Sequence, residues 1–391
     1  MKPYVEYYDW YIVLIEAIYF LGFSSILWIF SGRMLPDKNS QLLSICAFAV
    51  FVMFSKVAAF LPWFPYFPDT QGFAMLIEGD GLVSHSLGVR LYYIVSTPLR
   101  WVSVGQLELY LMTQQLLFVL SIILVWKAWL IHCSAFNYKP GRYGIYVLMM
   151  ILYPSIIMFI TIPLREFLMV FGFSLFLYGL TQYLHLKRIK WLIIGSLLTI
   201  FIRPQLVILY PLLFVVAKQK NYIKLLILGG LLLILLAPLF ELVTGYKFTP
   251  EFFAFLRERG TSHYAESGMT YGSVVWHSYL DVLIDLPALT FQFLLSPLPI
   301  MHTANPLNFA TMLLDLGFVL VVFWGVFRVK NAVSSPYLKM FFLASIIFSI
   351  WEFYIGGAVR HRMPLVIMLI PLAACYYSCV AEKIVSRVKT K

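Results

Sequence analysis

WYIVLIEAIYFLGFSSILWIFS, residues 10–31, carries one charged side chain, Glu16. At about 1.5 Å per residue the stretch is long enough, as a helix, to cross a hydrocarbon core of about 30 Å. Comparable apolar runs follow at 41–62, 108–131, 143–163, 167–184, 191–217, 225–240, 307–327, 340–358 and 363–381, with a shorter piece at 286–300. The 391 residues are 61% hydrophobic and 12% charged, with a mean hydropathy of +0.86, against about 25% charged in a soluble domain. This excludes a soluble globular protein. The runs are continuously apolar and lack the roughly ten-residue alternation of an outer-membrane barrel, so helices are the expected spanning elements. The expected fold is all-α: a polytopic transmembrane helical bundle of about 10–12 spans, with residues 1–391 forming a single integral membrane domain.

In a soluble protein a net charge of +11 would point to nucleic acid; here its distribution reads as topology, and no nucleic-acid partner is expected. Segments 32–40, 127–142, 185–190, 218–224, 328–339 and the tail from 382 hold 18 of the 29 lysines and arginines but only two acids, Asp37 and Glu382. These are the expected cytoplasmic segments, which puts the N-terminus outside and the C-terminus inside. A cleaved signal peptide is not expected, because Glu6 and Asp9 stand where a basic region should precede the first run. Cys46, Cys133, Cys375 and Cys379 show neither metal-ligand spacing nor an obvious pairing.

Two expected outer loops stand out by length, 63–107 and 241–306. In the first, residues 87–101 (LGVRLYYIVSTPLRW) are too short to span and mix apolar residues with Arg90 and Arg100, as an interfacial amphipathic helix would. The run 191–217 is flanked by basic clusters at both ends and holds Arg203-Pro204 at its middle, which reads as a hairpin with Arg203 at the bottom of an outward-open cavity. A single tilted span with a snorkelling arginine is the alternative.

Basic residues differ by side. The expected inner segments hold 13 lysines and 5 arginines; the expected outer side has eight arginines (Arg90, Arg100, Arg165, Arg203, Arg257, Arg259, Arg360, Arg362) against Lys2 and Lys247. Arginine's planar fork takes phosphate oxygens bidentately and stays charged when partly buried, so the outer face suits a phosphorylated ligand. Pairing with carboxylates of the same face is the plainer reading of each one. Asp69, behind Pro68, suits a general base or a helix N-cap. Glu78 and Asp80 have a spacing usable by a divalent cation, though a solvated turn explains them as well; no metal site is expected. Arg165-Glu166 sits between two apolar runs with almost no loop, and residues 356–364 (GGAVRHRMP) read as the opening of a final span whose helix begins at Pro364. In the second loop, His263 and His277 are candidates for hydrogen bonding or proton transfer, and its aromatic residues for stacking on sugar.

The segments Pro-Asp-Thr-x-Gly-Phe (68–73), Arg-Glu (165–166), Ile-Arg-Pro (202–204) and Arg-His-Arg-Met-Pro (360–364) together resemble GT-C-type integral membrane glycosyltransferases, and equally the O-antigen and capsule polymerases. His277-Ser278-Tyr279-Leu280 is partly similar to a His-x-x-x-Leu motif of O-antigen ligases and polymerases. The resemblance implies a polyprenyl-phosphate- or diphosphate-linked sugar donor, a lipid-linked or glycan acceptor, no resident cofactor, and a reaction at the outer face of a bacterial inner membrane. It implies Asp69 as the catalytic base; from the outer charges and polar residues above, Arg165, Arg203, Arg360 and Arg362 are expected on the phosphate, and Glu166, His277, His361 and Arg90 at the sugar or acceptor. The chemistry agrees: a lipid-phosphate leaving group needs cationic stabilisation and one base, without a general acid. A lipid-linked oligosaccharide flippase and a polysaccharide acyltransferase are the readings from other classes. For a flippase, charge inside the spans is sparse, with Glu16, Lys56 and Asp315 the main examples; an acyltransferase lacks any histidine before His85.

Overall fold

Each long apolar run becomes helix, and the breaks fall where proline or a buried charge interrupts it. In the computed structural model, which describes residues 10–60, 69–78, 87–136, 138–219, 222–263, 269–298, 306–330, 332 and 335–389, the order is α1 (Trp10–Met34), α2 (Lys38–Phe60), α3 (Asp69–Glu78), α4 (Leu87–Val102), α5 (Leu107–Phe136), α6 (Tyr143–Leu152), α7 (Pro154–Ile160), α8 (Glu166–Leu186), α9 (Lys190–Ile202), α10 (Leu209–Lys218), α11 (Tyr222–Thr244), α12 (Pro250–His263), α13 (Tyr279–Leu294), α14 (Pro306–Phe327), α15 (Pro336–Trp351) and α16 (Ile355–Lys389). No strand occurs among the described residues; Thr270 and Tyr354 form one isolated antiparallel bridge. Six helices are long and apolar enough to span a membrane (α1, α2, α5, α8, α14 and α16), and α6 with α7 makes a seventh, bent by 63°. The bend follows Tyr153, held extended by the Pro154 ring behind it.

By their internal contacts the residues group into two compact units, Met1–Arg203 with Tyr377–Lys391, and Pro204–Tyr376. The first is built around α5 and α8, the most enclosed of its spans. Phe118 of α5 packs edge-on against Phe51 of α2 (5.3 Å) and Phe167 of α8 (6.0 Å). The two helices α8 and α9 run antiparallel at very short range, and three glycines permit it. A Cβ on Gly179 or Gly195 would overlap the backbone of Leu192 or Phe176, and one on Gly172 would lie 2.6 Å from the Thr199 methyl. Lys187, in the left-handed conformation, closes α8 and reverses the chain.

This close approach gives a direct test. Gly195→Val forces backbone apart and is expected to cost about 3 kcal/mol or more, read as loss of monodisperse detergent-solubilised protein and a lowered Tm. Gly229→Val in α11, with open space around its Cα, should leave both unchanged.

Two expected boundaries move. The run 191–217 breaks at Arg203, which is extended ahead of Pro204; a 3-10 turn (Pro204–Val207) and α10 follow, so no straight helix passes through it. The spans expected at 340–358 and 363–381 are instead divided at 352–354, and α16 runs unbroken from Ile355 with Pro364 and Pro371 inside it. Arg360, His361 and Arg362 therefore lie within a helix rather than ahead of one. The piece at 286–300 is largely the second half of α13.

Candidate functional site

In the first unit the glycine contact of α8 with α9 brings together residues 37 apart in sequence. Glu166 opens α8 and Arg203 closes α9; Arg203 Nη2 lies 2.7 Å from Glu166 Oε1, with the two side chains 3% and 2% exposed. Arg165, half-buried, precedes Glu166 as the N-cap residue of α8. The carbonyl of Leu164 accepts from Gln114 Nε2 at 2.8 Å, fixing this entry to α5. Above it lie the connecting helices. Leu76 of α3, Tyr92 of α4, Leu168 of α8 and Ile202 of α9 form one buried cluster, and the Tyr92 and Tyr110 hydroxyls meet at 2.6 Å. Ala74 and Ile77 of α3 pack on Leu107 and Tyr110 at the start of α5. Lys56 completes this end, contacting Glu16 of α1 and, at 2.5 Å, Glu108 of α5.

The opposite end of the same helices has a different character. Tyr143 bonds Ser44 at 2.8 Å, His132 stacks on Trp129 and meets His185 edge-on, and the connections 35–37, just ahead of Lys38, and 187–189, which opens with Lys187, turn the chain. Glu16, Glu108, Arg165, Glu166 and Arg203 thus lie at one end of this unit, and Arg33, Asp37, Lys38, Arg142, Lys187 and Arg188 at the other.

The second unit holds a separate buried network around the break at 352–354. Arg362, fully buried, places Nη2 2.5 Å from Asp315 Oδ2 and 3.2 Å from the Ser296 carbonyl, while Nη1 donates to the carbonyls of Leu294 and Phe293. It neutralises an acid and closes the C-terminal end of α13 together. Arg257 does the same for α15: Nη1 donates to the carbonyls of Ser349 (3.1 Å), Ile350 (3.4 Å) and Glu352 (2.5 Å). Burial draws its guanidinium down to about 10, with Glu352 opposing the shift, so it stays charged at neutral pH. The Glu352 carboxylate contacts His361 Nδ1, whose ring stacks on Phe348 at 5.4 Å. Gly357 makes room for that carboxylate, since a Cβ there would overlap Glu352 Oε1.

The expected site residues divide accordingly. Arg203 does not stand at the floor of an open cavity but is closed in an ion pair, and its partner is Glu166, expected at the sugar. Arg362 and His361, expected at the phosphate and sugar, are committed to protein partners, because carbonyls at a helix end and an acid buried in an apolar unit must be satisfied. Arg165 and Arg360 are half-buried, and Arg90 is exposed on α4. His277 is exposed just before α13; its backbone N–H donates to Asp281 Oδ2 at 2.9 Å as part of a capping box with Ser278, and these bonds hold the Asp281 carboxyl below its usual range. That accounts locally for the His-Ser-Tyr-Leu stretch. Asp69 begins α3, and its side chain lies outside the described residues, as do His263's side chain and Asp80. Among the described residues no group of three metal-ligating side chains converges. The four cysteines are free thiols.

Sequence reasoning did not find Glu352, Asp315 as the partner of Arg362, or the Tyr92–Tyr110 pair. Glu352 had a signal, an acid inside the apolar run 340–358. Together the helices and apolar spans define a multi-pass helical membrane protein. No protein-family model, curated protein or solved structure matches the chain.

Proposed function

We propose that the protein is a membrane glycosyltransferase that uses polyprenyl-phosphate- or diphosphate-linked sugars in surface polysaccharide synthesis, as a GT-C-like transferase or a repeat-unit polymerase, in a bacterial inner membrane. One observation carries the reading: Arg165, the Glu166–Arg203 pair and the start of α3 at Asp69 belong to the same end of the first unit, opposite the connections 35–37 and 187–189. A base and a cation at one membrane face are what displacement of a lipid phosphate requires. Asp69 takes the proton of the acceptor hydroxyl, and Arg165, the half-buried arginine there, stabilises the departing phosphate. The Glu166–Arg203 pair holds the entry to α8 in place beneath them.

The test is transfer itself. Membranes containing the protein, given radiolabelled polyprenyl-phosphate sugars, should move label to a lipid-linked acceptor, and membranes without it should not. Label crossing the bilayer with the donor chemically unchanged would favour the flippase reading, for which the partly exposed Glu16–Lys56–Glu108 triad inside the spans is the supporting observation. Orientation is checked separately: cysteines placed at Asp69, Arg90 and His277 should react with an impermeant maleimide in spheroplasts, and one at Lys187 should not. The reverse pattern overturns the sidedness.

A further inference from the structure

Gly105 and Val104 end the α4 connection in the left-handed conformation, with φ of +71° and +54°. Glycine tolerates this, but for a β-branched residue it is strained, and asparagine or glycine is the usual occupant of such a position. Val104 gains no packing in return, since it is 72% exposed, and Trp101 beside it is 77% exposed. In water both features are unfavourable. In hydrocarbon the exposed apolar side chains are favourable and a polar residue at this turn would be the costlier choice, while the backbone strain is the same in either medium.

The backbone of the same turn is satisfied within the protein. The carbonyls of Leu99, Arg100, Trp101, Val102 and Ser103 accept from Ser103 N, Gly105 N, Val104 N, the Tyr19 hydroxyl (2.7 Å) and Gln106 N in turn. Such closure is common at helix ends in water, but at an end that lies in lipid it is obligatory. Tyr19 also sets the depth. It lies nine residues beyond Trp10 on α1, or about 14 Å along a helix long enough to span, so the tip of α4 is held well below the N-terminal end of that span. Arg90, Ile94 and Trp101 form the outward stripe of α4, polar at its beginning and apolar toward the tip.

We infer that the segment Ile94–Gly105 is not a soluble loop but a re-entrant membrane contact. Its outward stripe and tip lie against the acyl chains of the leaflet that receives the N-terminal end of α1, with Arg90 at headgroup level. The occupant of this face is lipid hydrocarbon. Glu108, three residues beyond the turn, and the Lys56 and Glu16 it joins are thereby at lipid depth.

Spin labels report this without reference to activity. The full chain, with Cys46, Cys133, Cys375 and Cys379 changed to Ser, is reconstituted in phosphatidylcholine–phosphatidylglycerol nanodiscs and labelled singly after Ile94→Cys, Trp101→Cys, Val102→Cys or Val104→Cys, with His277→Cys as the aqueous reference. The expected result is an oxygen-to-nickel-chelate collision ratio several-fold higher at 101, 102 and 104 than at 277, with 94 shallower than 101. Nickel-chelate accessibility at 101 and 104 equal to that at 277 would place the tip in water and overturn the inference. Low accessibility to both reagents would mean that protein, such as a second copy, covers the face, and would equally overturn it. Three labelled positions within the tip guard against one misfolded variant.

Discussion

Asp69→Asn is expected to lower sugar transfer by about 10² to 10⁴ while leaving the affinity for the lipid-linked donor within a few-fold, since the amide keeps the shape and hydrogen bonding of the carboxylate but not its basicity. Asp69 is the first residue of α3 rather than its N-cap, so a structural role of its charge at the helix N-terminus competes with catalysis as the cause of any defect. The two separate cleanly. A first-turn carboxylate contributes only about 0.3–1 kcal/mol of stability, so a purely structural Asp69 predicts near-normal transfer in the Asn variant. Donor binding measured on the same preparation decides whether lost transfer reflects a missing base or a missing fold. Normal transfer in Asp69→Asn, with transfer abolished in His277→Ala, would move the chemistry to the second outer loop.

Glu166→Gln should be the most damaging conservative change in the first unit. It leaves Arg203 charged and buried without its carboxylate at 2.7 Å, and breaking a buried pair from one side costs about 3–5 kcal/mol. Replacing both partners removes the stranded charge, so Glu166→Leu with Arg203→Leu is expected to recover most of the Tm lost in Glu166→Gln. Recovery marks the pair as the clamp that positions Arg165. If Glu166→Gln instead keeps its Tm and only weakens acceptor binding, Glu166 meets substrate, as the sequence alone would suggest.

That contrast marks what sequence can reach. Arg203 and Glu166 were each identifiable as charges amid apolar runs, because such groups are costly in lipid and need a reason to be there. Their partnership was not legible, since it depends on Gly172, Gly179 and Gly195 letting α8 and α9 approach so closely that residues 37 apart meet, and a glycine in an apolar run carries no sign of what it will touch. The helix expected over 87–101 appears as α4 (Leu87–Val102) because its amphipathic pattern is local. Its depth was not legible, because Tyr19, on another helix, sets it.

The final span failed for a different reason. Pro364 reads as a helix start, with Gly356-Gly357 in the span before it, whereas α16 contains all three. A proline inside a membrane helix is tolerated when neighbouring groups satisfy the carbonyl it frees, and Gly357 serves to admit the Glu352 carboxylate that contacts His361. The true break, at 352–354, is held by Arg257 from α12, a contact spanning more than ninety residues. For Arg362, the arginine-rich character of one side was visible in the sequence, but whether a guanidinium faces a ligand or a helix end is decided by tertiary packing.

The proposed transfer of sugar from a lipid phosphate during surface glycan assembly is tested most directly by the surface-glycan profile of a deletion strain. The predicted result is a chemically truncated glycan, either one repeat unit capped on its lipid core or a missing side branch, restored by the wild-type chain and not by Asp69→Asn. An unchanged profile, or complete loss of surface glycan with intact full-length units retained on the inner face, would contradict it.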